Sequence, residues 1–171
     1  MIGVFSTPRL SVRQFTPADV DELHAICGDR RVMRYVGDGM LLSRQRCVEW
    51  IDESLVDYAR RGHGAWALAV EGEPGLAGYC GIVSARRRAD PEIIYALRPG
   101  LWGQGLASEL VPALLDHGFN GCCLPRLIAT VRPENQASLR VVGKAGMHCT
   151  GEELAEEGIL MLIYALDSPR P

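Results

Sequence analysis

Between Ser43 and Arg60 the apolar residues Val48, Ile51, Leu55 and Tyr58 recur three or four positions apart, which predicts an amphipathic helix capped by Ser43. The period then changes. Ala65 to Val70 and Leu76 to Val83 are apolar runs of strand length on either side of Glu71-Gly72-Glu73-Pro74, and together they predict an antiparallel hairpin. A third run, Ile93 to Leu97, is rich in side chains that pack well on a pleated surface and is stopped by Arg98-Pro99-Gly100. Beyond it Leu106, Ala107, Leu110, Val111, Leu114 and Leu115 return to helical spacing, with polar Ser108, Glu109 and Asp116 between them. Pro112 falls inside that helix, where a missing amide typically costs about 3 kcal/mol, so a bend is expected there.

The flanks complete the order. Residues from Arg9 to Arg13 alternate as a half-buried strand does, and Thr16-Pro17-Ala18-Asp19 is a helix start whose helix carries Val20, Leu23, Ile26 and Cys27 on one face. Downstream, Leu127 to Val131 predicts a strand, and Pro133-Glu134-Asn135 a turn into a helix from Gln136 to Ala145, with Asn135 as its cap and Gly146 ending it. Met147 to Gly151 and Ile159 to Leu166 predict a closing hairpin around an acidic loop, Glu152 to Glu157. Strands and helices alternate through one 171-residue chain, which predicts a single α/β domain over residues 1–171.

The stretch Glu92 to Val111 joins strand, glycine loop and helix start. A helix's first amides lack intrahelical partners and its dipole is positive at that end, so Gly103-Gln104-Gly105 is a candidate diphosphate cradle, with an ordinary glycine turn as the plainer alternative. A P-loop is excluded because Leu106, not Lys-Ser/Thr, follows Gly105. A dinucleotide fingerprint is weakened because the next strand ends in Thr130-Val131-Arg132 rather than in an acidic ribose partner.

Trp102-Gly103-Gln104-Gly105-Leu106-Ala107 resembles the pyrophosphate loop of the GNAT acyl-CoA N-acetyltransferases, whose pattern is Gln/Arg-x-x-Gly-x-Gly/Ala. Trp102 departs at the first position. Tryptophan there, followed by Ser108-Glu109 after the alanine, resembles the branch named after the ribosomal-protein acetyltransferases RimJ and RimL, and so do the Arg9-Leu10 opening and the segment Val32 to Gly37. The resemblance implies a mixed, mostly antiparallel central sheet of about seven strands, flanked by helices and splayed at its central strands. It implies acetyl-CoA as co-substrate, held by Trp102 to Ser108, by Asn135, and by main-chain groups near Tyr95, Ala96 and Leu97. The acceptor would be a small-molecule amine or a protein N-terminus, with Tyr35, Asp38 and Met40 on the acceptor side.

Composition changes the picture only by exclusion. A net charge of -3 argues against nonspecific nucleic-acid binding, and Arg86-Arg87-Arg88 reads better as a solvated turn. No apolar run has the length to span a membrane, and the six cysteines show neither metal nor disulfide spacing, so they read as reduced, mostly buried side chains in a cytoplasmic protein. A homodimer is compatible with this but not legible.

Direct acetyl transfer needs a group to take the amine proton. Glu92, at the start of the central strand, is the candidate base; a substrate anchor or a solvated strand-end carboxylate are the other readings, and Asp90 is its alternate. Many GNAT proteins carry a tyrosine acid seven residues after the equivalent of Asn135, where this chain has Val142. Ser138 is the substitute, with a plain helix-end hydroxyl as the alternative. The scattered histidines show no metal spacing, no GxSxG elbow occurs, and Cys122-Cys123 follow a helix end that disfavours a thiolate. A CoA-binding sensor with the same fold and no turnover is the competing class.

Overall fold

The computed structural model describes residues 2–84, 89–155 and 158–169. Arg86-Arg87-Arg88 and the end of the acidic loop, Glu156-Glu157, lie outside the described residues. The strands are β1 (Gly3–Ser6), β2 (Leu10–Arg13), β3 (Ala65–Val70), β4 (Gly78–Ser84), β5 (Pro91–Leu97), β6 (Arg126–Val131), β7 (His148–Leu154) and β8 (Leu160–Asp167). They form one sheet in the order β1-β2-β3-β4-β5-β6-β8-β7, antiparallel throughout except for the parallel neighbours β5 and β6. Eight strands among the described residues, against about seven expected, reflect β1, whose Gly-Val-Phe-Ser run lacks the apolar–polar alternation that marks a half-buried strand.

Among the described residues five α-helices cover the two faces. α1 (Val20–Cys27), α2 (Arg30–Met33) and α3 (Arg44–Arg61) pack on one side around Leu23, Ile26, Ile51, Tyr79 and Ala96. α4 (Leu106–Asp116) and α5 (Gln136–Lys144) pack on the other around Leu110, Leu114, Val142, Trp66 and Leu127. Because successive side chains of a strand point to opposite faces, β5 sends Ile93, Tyr95 and Leu97 toward α4 and α5, and Ile94 and Ala96 toward α1–α3.

Two expectations are corrected. On α3 the buried stripe runs Cys47, Ile51, Ser54, leaving Leu55 exposed, because the Ser54 hydroxyl donates to the Trp50 carbonyl (2.8 Å) and is satisfied inside. β7 continues through Glu152 to Leu154 where an acidic loop was expected; as an edge strand it can turn charged side chains to solvent. α4 is continuous through Pro112, where a bend was expected, and a π-type turn follows it over His117–Gly121. The Ser43 cap is as expected, its hydroxyl accepting from the Arg46 amide at 3.1 Å.

The helix start at Thr16 holds the main polar contact between layers. Asp19 is 5% exposed and accepts two bonds from the Arg13 guanidinium (2.7 and 2.8 Å) and one from the Thr16 amide (2.7 Å). Burial pushes the Asp19 carboxyl up, but the hydrogen bonds from Arg13 and Thr16 outweigh it and hold the group below its ordinary value. A depressed folded pKa contributes stability above the unfolded value, about 3.9, and that contribution is lost as pH falls through the folded value. Asp19→Ala strands a guanidinium and should cost about 3 kcal/mol in urea denaturation at pH 7, with the difference from the parent chain shrinking as pH falls below the unfolded value of about 3.9.

Candidate active site

β4 and β5 share seven registered pairs, whereas β5 and β6 share one, Glu92 with Ile128. Beyond that pair the two strands part. The Arg98 amide bonds the Ala77 carbonyl at 2.8 Å, and this fixes the alternation of the antiparallel ladder: main-chain groups of Glu92, Ile94 and Ala96 face β4, and those of Ile93, Tyr95 and Leu97 face the opening. Ala96, expected to offer main-chain groups to a ligand, therefore spends them on β4. The Leu97 carbonyl is also taken, by the Trp102 indole at 2.7 Å. The amide and carbonyl of Tyr95 and the amide of Leu97 line the opening without a ladder partner.

The glycine loop sits at the same end of β5. After a 3-10 turn at Pro99–Leu101, Gly103 and Gly105 adopt φ of +76° and +77°, a left-handed backbone that side chains with a Cβ rarely take. Gly105 is the N-cap of α4 and has no side chain to cap it, so the amides of Leu106, Ala107 and Ser108 are left for a ligand. Leu106 is buried and anchors the helix, while Trp102, Gly103, Gln104 and Gly105 are exposed. Nothing lies within 4 Å of where a Cβ on Gly103 would stand. Such a bare cradle at the positive end of a helix fits a diphosphate.

The loop is braced from the N-terminal strands. The Arg9 guanidinium donates to the Gln104 carbonyl (2.9 Å) and to Glu109 on α4 (2.6 Å), and the Thr7 hydroxyl donates to Glu109 (2.6 Å). The bond from Thr7, with those from Arg9, holds the Glu109 carboxyl below its ordinary value. Gln104 folds back, its side-chain amide on the Gly100 carbonyl at 3.0 Å.

On the sheet face of Ile94 and Ala96, the half-buried Glu92 carboxylate bridges the first gap between the parted strands, accepting from the Thr130 amide (3.1 Å) and from the Thr130 hydroxyl. On the opposite face the Tyr95 hydroxyl meets the Ser138 hydroxyl at 2.8 Å, and Asn135 caps α5 by accepting from the Ser138 amide at 3.1 Å. Burial raises the Tyr95 pKa and the bond to Ser138 partly offsets it. Val142, where the family's tyrosine would stand, is fully buried. Asp90 is turned away from this centre, 3.5 Å from Arg126 at the far end of β6.

On the acceptor side, Tyr35 lines a cavity of about 500 Å³ together with Arg132 and the chain at Gly158–Leu160. Asp38 caps its own turn through the Met40 amide (2.9 Å), and both are exposed outside that cavity lining. Thr130, Arg132, Arg9 and the phenol of Tyr95 escaped notice in the sequence. Of these, Arg9 carried a signal, as part of the Arg-Leu opening.

Among the cysteines Cys27, Cys47 and Cys80 are buried, but Cys123 and Cys149 are exposed, which corrects the expectation that most are inside. Burial, with Cys123 beside it, raises the Cys122 thiol, a cause different from the helix-end dipole invoked from the sequence. Among the described residues no three His, Cys, Asp or Glu side chains cluster as metal ligands, and no helix is long and apolar enough to cross a membrane.

An open α/β sheet parted beside a glycine-led helix start offers main-chain donors and acceptors to an extended ligand that carries a diphosphate. The chain belongs to the GNAT family: the acetyltransferase (GNAT) domain matches residues 9–148. It is similar to an uncharacterized N-acetyltransferase, YoaA, of Bacillus subtilis, 28% identical over 88% of this chain and 86% of the relative. A GNAT-family acetyltransferase from Bacillus anthracis superposes with a TM-score of 0.82 at 26% identity, covering 98% of this chain and 99% of that one. RimL, a ribosomal L7/L12 α-N-protein acetyltransferase solved in complex with coenzyme A, superposes at 0.81 with 18% identity over 96% and 97% of the two chains, a likeness of fold. The protein is an acyltransferase that transfers acetyl groups to amines, and its cradle fits a CoA diphosphate.

Proposed function

We propose that the protein transfers acetyl from acetyl-CoA to a primary amine by direct attack within a ternary complex, on a site in the manner of the RimJ/RimL branch. The observation that carries this is the opening between β5 and β6, which meets the glycine loop at the C-terminal end of β5. Acetyl-CoA supplies the acetyl group as a thioester. The amides of Leu106 to Ser108 hold its diphosphate, and the unpaired main-chain groups of Tyr95 and Leu97 hold the arm that enters the opening. An amide at that edge is also the donor for the oxygen that becomes negative during attack.

Proton handling divides between the faces of β5. Glu92 stands on the acceptor face and takes the proton of the incoming ammonium, directly or through water. Ser138, polarised by the Tyr95 phenol, serves the departing thiolate from the other face; a thiol of pKa about 8.5 needs little help, so this term is small. Ser138→Ala and Tyr95→Phe should each lower kcat about tenfold or less in a free-thiol assay, and the double variant should fall no further than the more damaged single one, because the hydroxyls act as one pair.

The direct test is CoA release from acetyl-CoA across a panel of primary amines, peptides with free N-termini included. Amine-dependent release supports transfer. Tight acetyl-CoA binding without any release favours the sensor reading, for which the buried Val142 in the tyrosine position is the specific support. A cytoplasmic setting and one domain over residues 1–171 remain parts of this proposal, and a homodimer is compatible with it.

A further inference from the structure

The cavity beside the parted strands carries an excess of positive charge. It is lined by Arg34 and Arg132, with Glu134 the one carboxylate among its described lining residues. Arg9, Arg13, Arg98 and Arg126 elsewhere each meet a carboxylate, but neither Arg34 nor Arg132 forms an ion pair among the described residues. Arg34 instead lies over the Tyr35 ring, 5.1 Å from its centroid. Arg132 is tethered at one point: one Nη donates to the Gly37 carbonyl at 2.8 Å, and its Nε is buried with no acceptor among the described residues. A guanidinium tethered at one Nη, with no carboxylate partner among the described residues and a donor left unmet, suits a planar anion.

Its distance from the chemistry sets the size of that ligand. Arg132 follows Thr130 by two positions, and Thr130 holds the Glu92 carboxylate. At about 3.3 Å per residue, the Arg132 backbone lies about 7 Å from the point where Glu92 meets the sheet. Resting on the acetyltransferase reading above, we infer that the acceptor is an amine bearing a carboxylate a few bonds from its nitrogen, with the carboxylate held by Arg132 and Arg34. Tyr35, Ile159 and Leu160 leave room beside it for an apolar substituent. A polyamine would bring a second cation against two guanidiniums and is disfavoured.

The carboxylate could be that of a free amino acid or an acidic side chain at a peptide's N-terminus. Both share the chemistry, so the test has an arm for each: free-thiol release with free amino acids, their carboxamides, peptides beginning with an acidic or an amide residue, and a diamine. The carboxylate-bearing member of each matched pair should have a kcat/KM at least about tenfold higher, and Arg132→Gln or Arg34→Gln should erase that ratio by raising its KM. Preference for amides or the diamine, or a ratio that survives both substitutions, overturns the assignment. Should no amine release thiol, the transferase reading fails separately, and calorimetry with N-acetylated amino acids still decides the pocket. Binding weakened about tenfold in either variant supports the assignment, whereas no binding, or equal binding by parent and variants, overturns it.

Discussion

Gly105→Val should weaken coenzyme A binding by at least about 100-fold in calorimetry while leaving a folded protein. Gly105 sits at φ +77°, where a β-branched residue is a genuine outlier, and it is also the residue whose shape aims the first three amides of α4. Valine would push φ negative and rotate those amides away from a shared focus. Several charge-assisted bonds to one diphosphate would be lost together, each worth about 1.5–3 kcal/mol, so the effect exceeds that of any single side chain nearby. Stability should suffer less, since the added Cβ would meet only the end of the Arg9 side chain, at 3.7 Å. Retention of full affinity would mean that the diphosphate is held elsewhere.

Glu92→Gln should lower kcat about 100-fold or more with little change in affinity for CoA, as expected when a positioned base is removed. The substitution is informative because glutamine keeps an oxygen for the Thr130 amide and hydroxyl, so the bridge between β5 and β6 can persist while the negative charge goes. Glu92→Ala would confound the two effects by opening the sheet. A rate and pH–rate profile unchanged in the glutamine variant would leave Glu92 as a strut between strands and remove it from proton transfer.

Local features were legible in the sequence, and for a physical reason. The Ser43 and Asn135 caps, β3, the glycine loop and the α4 stripe are each written within a few consecutive residues, where period and capping chemistry act. The bonds that shape the site join residues far apart in the chain. Thr7 and Arg9 reach Glu109 across about a hundred positions, Tyr95 reaches Ser138, and Glu92 reaches Thr130. No periodicity encodes such meetings. Ala96 shows a subtler limit: its strand borders the opening, but only the ladder's alternation reveals that its amide and carbonyl are turned to β4.

The single registered pair between β5 and β6 means that the middle of the sheet, ordinarily its best-knit part, is an unfinished seam. Groups along that seam belong to the main chain, and no side-chain substitution deletes a peptide's N–H short of proline. Sequence can thus drift widely without removing those groups, and RimL keeps the same fold at a TM-score of 0.81 with 18% identity. Divergence among such proteins should then concentrate in the cavity walls, where side chains alone decide what is admitted.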